Sequence, residues 1–272
     1  MGKKRSSPVN QMFAWIRRQS MKVKIFLAVT FSICLLVVLK MLVTTHTHFF
    51  IASETAHVLG IVVLIYKLIT KKTCSGLSLK TQELTALFLA VRLYCSFTME
   101  GNIHTVLDCS TFILTVWVIC MMRFKLKASY TAELDSTPIL YIIIPSVILS
   151  ALIHPYTHHS RFNRILWAFS VYIETVSVVP QLRLMQNAKM IEPFTGHYVF
   201  ALGVSRFMAL AHWIIQVYET KGVYFYLVGS GYFWVPTVFV AELVQSFILA
   251  DFCYYYVKSV INGQLLLSIP PV

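Results

Sequence analysis

Eight apolar stretches organise this chain: Ile25–Val43, Phe49–Ile69, Leu84–Ser96, Val106–Met122, Ile139–Ile153, Ile165–Leu184, Tyr198–Val217 and Phe233–Val257. Each approaches the ~20 residues that a helix needs to cross a ~30 Å hydrocarbon core. The third is the weakest as a bare run, because Arg92 interrupts it. The first is too long for a secretory signal, and Lys40-Met41-Leu42-Val43 stands where a small-residue cleavage site would follow. The fold class is therefore all-α, a polytopic membrane helical bundle. Only 12% of the residues are charged, against about 25% in a soluble domain.

The net charge of +12 then reads as topology. With the N-terminus in the cytosol and the runs alternating, the cytosolic side collects the N-terminal basic cluster, Lys67, Lys71, Lys72, Lys80, Arg123, Lys125, Lys127, Arg183, Lys189 and Lys258. The opposite side keeps Arg161, Arg164 and Lys221, and Lys40, Arg92 and Arg206 stay inside. This asymmetry predicts eight spans with both termini cytosolic. Nucleic acid is excluded as a partner, because the basic residues sit in short loops rather than on one face with exposed aromatics.

Four parts follow. Residues 1–24 form a basic cytosolic tail that fixes topology or lies on anionic membrane lipid, residues 25–48 an extra span with its lumenal loop, residues 49–260 the main bundle and residues 261–272 a short cytosolic tail. The cysteines, Cys34, Cys74, Cys95, Cys109, Cys120 and Cys253, form no CxxC pair and read as small buried hydrophobes. His154, His158 and His159 cluster without a thiol or carboxylate to complete a metal site. No metal, cofactor or catalytic residue is expected, since no nucleophile stands beside a base.

The interior charges carry the functional signal. A lone cation at bilayer depth costs roughly 2.5–3.5 kcal/mol even on the lenient insertion scale. Arg92 and Arg206 both sit there, which predicts a polar cavity that needs positive charge and takes an anion or a carboxylate. Glu174 lies mid-span and is expected to pair with Arg206 or with a polar group beside it. Glu54, Asp108 and Asp251 read as snorkelling groups near helix ends. His57 lies mid-span, either as a neutral buried histidine or as a group that titrates between compartments; His212 has the same two readings. Pro180-Gln181 ends the sixth span, and Ser75–Gln82 precedes the third in a similar way. Both loops lead into a helix that carries an arginine, which hints at two related three-helix halves joined by a linker helix.

Several strings together resemble the KDEL receptor family, the ER lumen protein-retaining receptors. They are Lys71-Lys72-Thr73-Cys74-Ser75-Gly76-Leu77-Ser78-Leu79-Lys80-Thr81-Gln82, Trp167–Glu174 with Val179-Pro180-Gln181-Leu182, His197–Val204 with Arg206, and Ala250–Val257. The likeness runs from Phe49 to the C-terminus. Residues 1–48 lie outside it, an extension that looks like the divergent receptor-like branch of plants. The resemblance implies a 3+1+3 bundle related to PQ-loop and SWEET transporters, with one extra N-terminal transmembrane helix. It also implies an integral membrane protein of the ER and Golgi that retrieves ER lumenal proteins. Its partners would be their C-terminal tetrapeptide signals and vesicle coat proteins.

Carried over by position, Arg92 matches the family arginine for the terminal carboxylate, Arg206 a second site arginine, and Trp167 the site tryptophan. Glu174 and His57 match the buried carboxylate and the histidine of a proton switch. Other positions depart. Phe50 and Gln216 stand in place of arginines that face the signal's acids. Cys95 and Arg164 replace acids that hold its basic first residue, and Ser205, Ala209 and His212 replace two tyrosines and an asparagine. The tail Gly263–Leu267 lacks the family's lysines. Losing one partner of a buried pair costs about 2–5 kcal/mol, so a standard Lys/His-Asp-Glu-Leu signal should bind far more weakly than in the family. A transporter of a small anionic solute and a non-receptor trafficking protein are the alternatives.

Overall fold

The computed structural model describes residues 47–99, 103–188, 191–221, 223 and 232–261. The expected first span, Ile25–Val43, and both tails lie outside these residues. The described chain forms α1 (Thr47–Thr70), α2 (Leu79–Met99), α3 (Ile103–Cys120), α4 (Leu140–Leu152), α5 (Arg161–Val176), α6 (Val179–Asn187), α7 (Pro193–Glu219) and α8 (Trp234–Ile261). Because α6 continues α5, the described residues make seven helical passes. Five of these passes are long and apolar enough by themselves to cross a membrane. Of the other two, α2 carries Lys80, Glu83 and Arg92 and α4 has 13 residues.

The packing pattern explains the two halves. α1 lies along α7 and α2 along α5; α2 packs on α3 as α7 packs on α8; α1 meets α3 as α5 meets α8. Exchanging the triplet α1–α2–α3 for α5/α6–α7–α8 maps each interface onto another, and α4 links the halves through α5. This is the relation of parallel repeats about an axis along the membrane normal. Arg92 and Arg206 lie at the same depth within the equivalent helices α2 and α7. Small residues allow the close approaches. A Cβ on Gly60 would come within 3.1 Å of Ala201 Cβ, and one on Gly203 would collide with Cys253 Sγ.

The end of the bundle that carries Lys71, Lys72, Lys80, Arg123, Lys125, Lys127 and Lys258 is tied by polar groups. Gly76, at φ 76°, turns the chain between α1 and α2. Gln181 reaches across to this turn: its Nε2 donates to Gly76 O at 2.8 Å and its Oε1 accepts from Ser78 N at 2.8 Å. Reciprocally, Gln82 Nε2 donates to Tyr198 Oη at 2.8 Å. Ser78 Oγ, Lys80 N and Tyr130 Oη all donate to Asp135. Burial and the Asp135 carboxylate raise the Tyr130 phenol above its ordinary pKa.

Three readings are corrected here. Pro180-Gln181 does not end the sixth span. The break falls at Ser177–Val178, and Pro180 sits in the first turn of α6, where its missing N–H costs nothing. Lys67 is no loop charge, because its side chain is fully buried. Its Nζ donates to Ser75 O and Thr195 Oγ1, both at 2.8 Å, and pairs with Glu192 at 2.7 Å. Cys120, at the end of α3, is exposed rather than buried, whereas Cys74, Cys95 and Cys253 are buried. Asp251 is exposed, inside α8.

Candidate functional site

The face of α2 that turns inward runs through Thr81, Thr85, Phe88 and Arg92, a helical spacing of three and four residues. It carries Arg92 into the bundle with 8% of its surface exposed. There Nε and Nη2 of Arg92 donate to the two Asp108 oxygens at 3.0 and 2.6 Å, and Nη1 donates to Glu174 Oε2 at 2.9 Å. Glu54 Oε1 lies 3.7 Å from Nη2, and the guanidinium stands over the Phe88 ring at 5.4 Å.

The second Glu174 oxygen accepts from Arg206 Nη1 at 2.7 Å. Asp108, Arg92, Glu174 and Arg206 thus form one chain of buried charges from α3, α2, α5 and α7. Backbone bonds hold it in place: Gln245 Nε2 of α8 donates to Glu174 O at 2.6 Å, and Ser246 Oγ donates to Arg206 O at 3.4 Å. Charge-assisted bonds of this kind are short and geometrically demanding.

The charges at this centre correct the expectation of a cationic cavity. Two guanidiniums face Glu54, Asp108 and Glu174, all three buried, with Glu242 acting on Arg206 from α8. Oε2 of Glu54 and Oε2 of Glu242 are buried without a hydrogen-bond partner. Glu54 and Asp108 are not helix-end groups, because α1 begins at Thr47 and α3 at Ile103. Those starts place both acids inside the bundle, where a buried guanidinium requires counter-charge.

His57 is buried on α1, one turn past Ser53, whose hydroxyl donates to Ser205 O at 2.9 Å. It lines a cavity of about 20 Å³ together with Thr81, Thr85, Phe88, Ser177, Arg206 and Gln245, roughly the room that one water needs. Its Nδ1 has no hydrogen-bond partner. Trp167 stands apart from the charges. It lies two turns before Glu174 on α5, about 10 Å along the axis, and packs among Ala168, Tyr172, Trp234, Val235 and Trp213. The structure therefore brings Arg92, Glu174 and Arg206 together, with His57 beside them, and puts Trp167 in an aromatic layer.

Several residues that depart from the family pattern lie between this centre and the end opposite the basic one. Phe50 packs edge-on against His212 with ring centroids 5.8 Å apart. Cys95 Sγ approaches Asn163 O at 3.7 Å. The neighbouring Arg164 holds its guanidinium 5.5 Å from the centre of the Tyr156 ring. In the preceding loop His154 is buried, which lowers its pKa, and Arg164 and Arg161 add to the effect.

Sequence reasoning found both arginines, Glu174 and His57, and missed Asp108 and Glu54 as members of the centre. The available signal was charge balance: Arg92 needs a partner besides Glu174, and these two acids lie in the neighbouring spans.

The family described as ER lumen protein retaining receptor matches residues 73–216. ER lumen protein-retaining receptor erd-2.2 of Caenorhabditis elegans is 31% identical over 223 residues, 82% of this chain and 98% of the relative. The ER lumen protein-retaining receptor of Petunia hybrida is 31% identical over 80% of this chain and 97% of its own length. That of Drosophila melanogaster is 33% identical over 79% of this chain and 95% of its own. These relatives are named as receptors, not enzymes. The chain belongs to the ER lumen protein-retaining receptor family.

Proposed function

We propose that this protein is a receptor of ER and Golgi membranes that retains or retrieves ER lumenal proteins by reading a free C-terminal carboxylate. The observation that carries this is a family match over most of the chain, combined with Arg92 and Arg206 joined at mid-bundle. Arg92 and Arg206 serve the carboxylate end of the signal, and Trp167 packs against its side chains. Glu174 and His57 form the proton-responsive part. Both termini face the cytosol, where vesicle coat proteins and anionic lipid headgroups meet the basic end of the bundle.

The geometry favours a diverged specificity. Phe50 packs against His212 where the family resemblance expects an arginine, and Arg164 presents a cation where a basic signal residue would meet an acid.

The test is a secretion assay. Lumenal reporters with varied C-terminal tetrapeptides are followed with the protein present at raised or lowered levels. Retention that rises with the level of the protein, for a subset of free C-termini, is the expected result. Secretion unchanged for every terminus, with the protein correctly placed in ER–Golgi membranes, would exclude receptor action.

A further inference from the structure

Arg92 offers five N–H donors in a fixed fork, and an incoming carboxylate binds best across two of them. That side of the fork is filled. Asp108 takes Nε and Nη2 together, Glu174 takes Nη1, and Glu54 lies 3.7 Å from Nη2. No second carboxylate can bind across Nε and Nη2 while Asp108 stays, and Glu174 and Glu54 face the other edge, Nη1–Nη2.

Asp108 is also the carboxylate that the centre can spare. Glu174 bridges Arg92 and Arg206, and Glu54 stands 3.7 Å from Arg92. Asp108 adds a negative charge directly beside Arg92, which opposes a further anion there. It sits on α3, which packs directly on α2, so it is held beside Arg92 at a high effective concentration.

We infer that Asp108 is a resident carboxylate ligand of Arg92, which a carboxylate ligand from outside must displace to bind across Nε and Nη2, and which thereby sets the affinity threshold of the receptor. This inference rests on the reading that a free carboxylate meets Arg92. It adds the residue that guards the site and predicts that its removal strengthens binding. A structural strut would behave oppositely, since replacing it would weaken the fold and leave ligand affinity unchanged or lower.

The experiment uses the full chain purified in detergent, as wild type, Asp108→Asn and Asp108→Ser. The probes are N-acetyl-leucine, its amide, and a His-Asp-Glu-Leu peptide with a free or amidated C-terminus. Asp108→Asn should bind N-acetyl-leucine at least tenfold more tightly than wild type, with no gain for the amide. A gain for N-acetyl-leucine but for no peptide would keep Asp108 as resident ligand and remove the retention-signal reading. Folded variants with no gain for either free carboxylate would overturn the inference, whatever the wild-type peptide affinity. If neither variant folds, Asp108 is a required strut and the inference fails.

Discussion

Glu174 joins the two interior arginines: its Oε2 accepts from Arg92 at 2.9 Å and its Oε1 from Arg206 at 2.7 Å. The bridge connects equivalent positions of the two halves through a single residue of α5. Losing it leaves Arg206 facing Glu242 and Arg92 facing Asp108, with no charged link between the two arginines.

Replacing the bridge should therefore be costly. Glu174→Gln is expected to destabilise the protein by about 3 kcal/mol or more, the range for orphaning a buried charge. Arg206→Gln added to it should recover part of the loss. Thermal unfolding of the singles and the double in detergent measures the coupling. Additive losses would show that the two residues act independently.

Lys67 should matter more than a surface lysine. Lys67→Met leaves Ser75 O, Thr195 Oγ1 and Glu192 without their donor, at an expected cost of about 1.5–3 kcal/mol. Arg123 pairs with Glu83 near the surface, and Arg123→Ala should cost no more than about 1 kcal/mol. Denaturation midpoints of the two variants should separate clearly. Equal midpoints would mean that the buried lysine is not a clasp.

His154 gives a pH dependence of defined sign. Its folded pKa lies below the ordinary 6.5, so the unfolded chain binds more protons as the solution acidifies. Its stabilising share is present above about pH 6.5 and is lost as the pH falls below that. Melting temperatures between pH 7.5 and 5.5 should drop less in His154→Gln than in wild type. An identical slope would remove His154 from the account.

The basic loops predict an orientation with both termini cytosolic. Glycosylation tags at either terminus should remain unmodified, while a tag in the loop around Tyr156–His159 should be modified. A modified N-terminal tag would mean that Ile25–Val43 does not cross the membrane.

Most of the helical plan was legible because apolar length and loop charge are local properties. α2 is longer than its apolar run, since Lys80 and Glu83 read as loop although they open the helix. Interior pairing was only half legible. An arginine amid leucines announces burial, but Asp108 and Glu54 looked like helix-end acids until the starts of α1 and α3 set their depth. Lys67 read as a loop charge because its acceptors, Ser75, Thr195 and Glu192, come from other parts of the chain. The aromatic layer around Trp167 depends on α5 and α8 meeting, which no local pattern shows.

The most direct test is the affinity of the purified full chain for a His-Asp-Glu-Leu peptide with a free carboxylate, against the same peptide amidated. The account predicts carboxylate-dependent binding at least about 100-fold weaker than that of a relative with the standard charge pattern, since two lost pairs at about 1.4 kcal/mol each give that factor. It also predicts partial recovery in the Phe50→Arg, Cys95→Asp, Arg164→Glu, Gln216→Arg variant. Wild-type binding as tight as the relative's, or equal binding of the amidated peptide, would contradict it.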